Sequence, residues 1–135
     1  MHDNTTGEAV KTPKSYGKSL SASGLQEGMG KFFPVGDAEG AREGLGRAAL
    51  VEVLSGIKEE VAEIRSVVAE LEVRMAGASL LIVYESDWEA ESGYVVRLID
   101  FAHAFLKPGS GPDEGLLLGL DTTLGLVNER LASVQ

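Results

Sequence analysis

Apolar residues recur at alternating spacings of four and three from Leu50 to Met75, through Leu54, Ile57, Val61, Ile64, Val68 and Leu71. That period places one apolar stripe along a helix face and predicts a long helix over about residues 38–76. Lys58, Glu59, Glu60, Glu63, Arg65, Glu70, Glu72 and Arg74 fall on the opposite, polar face. Gly56 interrupts the run, costs about 1 kcal/mol against alanine, and marks where the helix would bend or split. The stripe is also a heptad, so helix-mediated self-association as a coiled coil is open to it. Packing onto the chain's own core is favoured, because apolar strands follow at once.

The period then changes. Ser79-Leu80-Leu81-Ile82-Val83-Tyr84-Glu85 and Tyr94-Val95-Val96-Arg97-Leu98-Ile99 are short, nearly continuous apolar runs, which read as strands. The acidic loop from Ser86 to Gly93, holding Trp88, joins them most simply as an antiparallel hairpin. Both strands are apolar on nearly every position, so both faces call for cover. The long helix can cover one; the other needs a partner beyond these elements. Pro108-Gly109-Ser110-Gly111-Pro112 reads as a rigid loop, and Asp113 as the cap or a first-turn acid of a last helix with Leu116, Leu120, Leu124, Val127 and Leu131 in its core. At the other end, residues 1–13 read as a flexible N-terminal arm. Ser21 or Ser23 could cap a short helix to about Phe33, with Glu27 near its first turn, before a turn at Pro34-Val35-Gly36-Asp37.

Composition narrows the function. The 135 residues carry a net charge of −9 and a pI near 4.6, which disfavours broad nucleic-acid binding, since phosphate contacts need clustered Lys and Arg. Lys11, Lys14, Lys18 and Lys31 form the one lysine-rich part, either solvated or phosphate-facing. No cysteine is present, which excludes disulfides, thiolate catalysis and cysteine-ligated zinc. No apolar run approaches the ~18 residues of a membrane span. Met1-His2-Asp3-Asn4-Thr5 lacks a basic and apolar signal region. An intracellular protein, nuclear or cytoplasmic, is expected.

The chemistry centres on Asp100. It ends an apolar strand, and a lone acid there is costly unless something pairs with it. A metal ion, a helix N-terminus or a basic partner would serve, as would a turn aspartate capping the next segment. A metal–phosphate site would use it directly, because magnesium prefers hard oxygen ligands beside phosphates.

Four ordered segments carry a resemblance. Lys14-Ser15-Tyr16-Gly17-Lys18-Ser19-Leu20, Ala78-Ser79-Leu80-Leu81-Ile82-Val83-Tyr84-Glu85, Arg97-Leu98-Ile99-Asp100-Phe101-Ala102-His103-Ala104, and Gly111-Pro112-Asp113-Glu114-Gly115 with Leu118-Gly119-Leu120 together resemble the inositol polyphosphate kinase family, its multikinase branch most closely. The resemblance implies an α+β fold, the helix-rich C-terminal lobe of a protein-kinase-like architecture with an antiparallel β-hairpin, occupying residues 14–135 as a partial domain. It implies transfer of the γ-phosphate of ATP, with Mg2+, to a hydroxyl of an inositol polyphosphate. Asp100 then matches the acid that holds magnesium against ATP, with Ser79 near the same phosphates. His103 matches a histidine given an orienting role. Lys14 and Lys18 match the inositol phosphate side of the site. The chain departs from the family in lacking its Pro-x-x-x-Asp-x-Lys-x-Gly motif and the lobe that covers ATP, and in carrying Ala78 where a serine is usual. It is therefore expected to be a C-terminal segment with little activity of its own. The alternative is a non-catalytic interaction or regulatory module built on the amphipathic helix of residues 50–75.

Overall fold

The computed structural model describes residues 1–36 and 43–135. Asp37 of the expected turn and the first residues of the expected long helix lie outside them. Among the described residues the elements are α1 (Lys14–Ser19), α2 (Leu25–Phe32), α3 (Arg47–Glu70), β1 (Val73–Met75), β2 (Ser79–Tyr84), β3 (Tyr94–Ile99), β4 (Ala104–Leu106) and α4 (Glu114–Val134), with single 3₁₀ turns at Ala22–Gly24 and Phe101–His103.

The long helix is shorter than its periodicity suggests. Gly44 sits at φ +85° with its backbone against Pro34, and Gly36 N donates to Leu45 O at 2.8 Å. Only a glycine tolerates that backbone and that approach, so the helix cannot begin before Gly46. At the other end Leu71 turns extended and Val73–Met75 pairs with Ala104–Leu106 as an antiparallel ladder. Leu71, Glu72, Arg74 and Met75 thus leave the helix, although all continue its pattern. Tertiary pairing outweighs the few tenths of a kcal/mol per residue that helix propensity offers. Gly56 neither bends nor splits α3; it is buried, and the ring of Tyr94 occupies the space its side chain would take.

Within α3 the stripe does what a core-facing stripe should. Leu50, Val53, Leu54, Ile57, Val61 and Val68 are buried, and α3 packs most extensively along α4. From α4 come Leu117, Leu120, Val127, Leu131 and Val134. Leu116 and Leu124 are half-buried at the edge of this core. Of the two roles open to Asp113 it takes the cap of α4, its carboxylate accepting from Leu116 N at 3.1 Å.

β2 and β3 form the expected antiparallel hairpin, with Ser79 opposite Ile99 and Tyr84 opposite Tyr94. Alternate residues point to opposite faces. The inner face, Leu80, Ile82, Tyr84, Val96 and Leu98, packs on the helical core. The outer face is not covered: Leu81, Val83 and Val95 remain 42%, 51% and 43% exposed. The expectation of two covered faces therefore holds for one.

The N-terminal half wraps one end of this core. α1 is an element the spacing did not reveal. Neither Ser21 nor Ser23 caps a helix; their hydroxyls bond each other at 2.9 Å, and Gly24 precedes α2. The carboxyl end of α2 is tied down instead. Tyr84 donates to Phe32 O at 2.7 Å, and Arg130 donates to Phe33 O from Nε at 3.0 Å and Nη2 at 2.6 Å. These bonds satisfy carbonyls that a helix end leaves without partners. Residues 1–10 fold back in a turn, with His2 opposite Ala9. They dock on the hairpin loop through His2 N to Ser86 Oγ, 3.2 Å, and Asn4 Oδ1 from Trp88 N, 2.8 Å.

Candidate functional site

The chain passes twice between the small β1–β4 sheet and the hairpin. It goes from Met75 through Ala76–Ala78 to Ser79, and back from Ile99 through Asp100–His103 to Ala104. The pairs Ser79–Ile99 and Met75–Ala104 bracket the two crossings, and Ala76 N donates to His103 O at 3.4 Å between them. Ser79, Asp100 and His103 thus share one end of the hairpin, and all three are exposed.

Asp100 is the only described non-glycine residue at positive φ, with φ 68° and ψ 54°. Aspartate tolerates the left-handed region better than most residues, but a backbone there costs about 1–3 kcal/mol unless its surroundings hold it. The residue occupies the N-cap position of the 3₁₀ turn Phe101–His103, yet its side chain makes no capping bond. Among the described residues no hydrogen bond or ion pair engages the carboxylate. The simple role of a turn aspartate capping the next segment is not played.

A clamp joins the β1 segment to the loop before α4. Glu72 accepts from Gly109 N at 3.0 Å and Gly111 N at 3.3 Å. Arg74 donates to the carbonyls of Ser110 and Gly111, each at 3.0 Å. Asp113 accepts from Met75 N at 3.0 Å with its second oxygen. Those two backbone donors, Met75 first and then Leu116, hold the Asp113 carboxyl below its ordinary range. The helical periodicity puts Glu72 and Arg74 on the polar face of a continued helix; the structure puts them in this clamp instead. The usable signal was Ala104-Phe105-Leu106, a short run able to pair with Val73-Arg74-Met75.

Lys14 and Lys18 lie elsewhere. Both belong to α1, and Lys14 lines a cavity shared with Met1 and Phe32. Met1 and Phe32 are the partners of the Tyr84 hydroxyl, at the opposite end of the hairpin from Ser79. Five steps of strand at ~3.3 Å each separate those ends by ~17 Å. The structure brings Ser79, Asp100 and His103 to one end and leaves the two lysines at the other. Among the described residues no cluster of three His, Asp or Glu side chains forms a ready-made metal site. No helix among them is long and apolar enough to cross a membrane.

The architecture defines a class. A solved inositol phosphate multikinase, Ipk2 from S. cerevisiae in complex with ADP and Mn2+, superposes with a TM-score of 0.69 at 25% identity, covering 87% of this chain and 50% of that one. A second inositol phosphate multikinase structure superposes with a TM-score of 0.74 at 20% identity, covering 95% of this chain and 57% of that one. The fold is thus the α+β, kinase-like fold of these enzymes, and the chain spans little more than half their length. No curated protein sequence matches closely enough to count as a relative. The family model for inositol polyphosphate kinase matches residues 1–128, and the chain belongs to that family. The match takes in the first 13 residues as well as the four motifs.

Proposed function

We propose that this chain supplies the large-lobe part of an ATP-dependent kinase that phosphorylates a hydroxyl of an inositol polyphosphate. The observation that carries the reading is Asp100, a carboxylate without a protein partner among the described residues, held in left-handed backbone at the hairpin mouth. Its chemistry fits Mg2+, which takes oxygen ligands, keeps several waters, and is commonly held by one or two carboxylates plus substrate phosphates. When bound, such an ion neutralises charge on the phosphates during transfer. Asp100 is the residue proposed to hold it, and the hydroxyl of Ser79, the cross-strand partner of Ile99, is proposed to face the same phosphates. His103, three residues on, is proposed to orient the site. The ADP and Mn2+ named for the yeast relative support a nucleotide and a divalent metal. The roles of Lys14 and Lys18 toward an inositol phosphate rest on the motif resemblance alone.

These 135 residues contain no Pro-x-x-x-Asp-x-Lys-x-Gly motif. Losing a charge clamp or an acid–base group costs on the order of 10²–10⁴ in rate, so transfer from ATP to inositol trisphosphate by this chain alone should stay near background. A binding measurement tests the site without activity. Met75 pairs with Ala104 beside the Asp100 turn. With its methyl labelled, Mn2+–ADP should broaden the Met75 resonance in the wild type and not in Asp100→Asn. Broadening that survives Asp100→Asn would remove Asp100 from the metal site.

A further inference from the structure

The turn that carries Asp100 is held at its two ends by unequal means. On one side it leaves β3, whose Val96 is buried and whose Leu98 packs on the core. On the other it runs into β4, where little is buried: Phe101, Phe105 and Leu106 are 52%, 57% and 77% exposed. Burial therefore does not fix β4. Its place is set by pairing with β1, Val73 opposite Leu106, Arg74 opposite Phe105 and Met75 opposite Ala104, with Lys107 N donating to Glu72 O at 2.8 Å beyond them. A two-stranded ladder this short is marginal by itself, so its position depends on what anchors β1. Glu72 and Arg74 bond the loop before α4, whereas Asp113 bonds Met75, the rung of the ladder next to the Asp100 turn. The two Asp113 oxygens serve different elements: one accepts from Leu116 N in the first turn of α4 at 3.1 Å, the other from Met75 N at 3.0 Å. Leu117 and Leu120 root α4 in the core, so this carboxylate ties a fixed helix to an otherwise weakly held strand.

We propose, resting on the reading of Asp100 as the metal's carboxylate, that Asp113 is a positioning residue for that site. It acts through Met75 and Ala104 to fix the left-handed turn on which Asp100 stands, and touches neither metal nor phosphate itself. Backbone in that conformation persists only where its surroundings hold it. Here Met75 pairs with Ala104, the residue after the 3₁₀ turn, and Ala76 N donates to His103 O at 3.4 Å. A metal ligand must be held within about 0.5 Å of its working place by such supports, and partners behind a ligand commonly carry about 10–100-fold in metal affinity.

Asp113→Ser separates the two roles of the carboxylate. Serine is a strong helix cap, but its one short hydroxyl cannot serve Leu116 and Met75 together. In the metal-free, isotope-labelled chain, the Asp100 Cα shift and HN–Hα coupling should leave their left-handed values in this variant. The midpoint of a Mn2+–ADP titration, read at the Met75 methyl, should rise about tenfold. Asp113→Asn, with one carbonyl oxygen for two donors, should change both in the same direction by less. Tyr84→Phe, which loses its bond to Phe32 O at the opposite end of the hairpin, should change neither, so general loss of stability is told apart from positioning. Unchanged Asp100 signals or an unchanged midpoint in both Asp113 variants would overturn the proposal, as would equal changes in Tyr84→Phe. Broadening that survives Asp100→Asn marks failure of the metal reading instead; the metal-free Asp100 signals then still decide whether Asp113 sets the turn.

Discussion

Gly56→Ala pits helix propensity against a single ring. Gly56 lies in the middle of α3 and is buried. A Cβ built there falls 2.5 Å from Cε1 of Tyr94 and closer still to its hydroxyl. In an open helix the substitution would stabilise by about 1 kcal/mol. Here the ring must move first. Tyr94 is 38% exposed, so it has somewhere to go, but leaving α3 gives up buried surface. An aromatic side chain buries about 150–250 Å². Losing roughly 60 Å² of that at about 25 cal/mol per Å² costs about 1.5 kcal/mol. A ring pushed from its rotamer adds about 0.5–1.5 kcal/mol. The net is a destabilisation of about 1 kcal/mol. In a Tyr94→Ala background the obstruction is gone and propensity acts alone, so the same substitution should stabilise by about 1 kcal/mol. Urea unfolding of the four proteins, followed by circular dichroism, gives the coupling, expected at about 2 kcal/mol. Equal stabilisation by Gly56→Ala in both backgrounds would refute the contact between α3 and β3.

Three further outcomes are expected. Tyr84→Phe removes the donor to Phe32 O and should cost about 1–2 kcal/mol. Burial holds the Tyr84 hydroxyl protonated, its pKa raised from 10.0 to about 12; its stabilisation is full below pH 10 and is lost as pH rises toward 12, so pH-dependent melts of the Phe variant should lack that part of the alkaline decline. Asp113→Ala loses a helix cap worth about 1 kcal/mol and orphans Met75 N–H at about 1–3 kcal/mol, together about 2–4 kcal/mol by denaturant unfolding. Because the Asp113 carboxyl sits below its ordinary 3.8, its contribution is full above that value and fades as pH falls through the lowered one. The Ala variant should therefore lose stability less steeply in that acid range. Asp100→Gly should relax the left-handed backbone and raise stability by up to about 1 kcal/mol, while abolishing the Mn2+–ADP effect on Met75; a loss of stability would show the backbone there to be unstrained.

Pattern and structure agree where a local rule and the packing ask for the same thing. The hairpin from Ser79 to Ile99 was legible because two apolar runs joined by a short polar loop have one simple pairing. The start of α4 was legible because Asp113 follows a loop rich in Gly and Pro. The end of α3 was not. Leu71 and Met75 continue the stripe in phase, and nothing local distinguishes a helix that stops at Glu70 from one that runs on. The decision is made 30 residues later, by Ala104-Phe105-Leu106 and by the loop that Glu72 and Arg74 hold. Gly56 looked like a defect because its reason, the ring of Tyr94, comes from another element. At the site, Asp100 was visible as a strand-end acid, but its backbone conformation and missing capping bond belong to the structure alone. Nothing in composition or spacing marks Tyr16 as a residue whose hydroxyl is buried without a partner among the described residues.

The uncovered face of the hairpin has a consequence for how the molecule behaves in bulk. Leu81, Val83 and Val95 present a flat apolar surface, and in a two-stranded sheet both strands keep an outer edge of open backbone groups, the arrangement that templates pairing with another chain. A net charge of −9 opposes such pairing by mutual repulsion. That repulsion vanishes near the pI of 4.6 and is screened over about 10 Å already at 0.1 M salt. Association between copies should then follow charge, with light scattering expected to rise as a solution is brought toward pH 4.6 or salted.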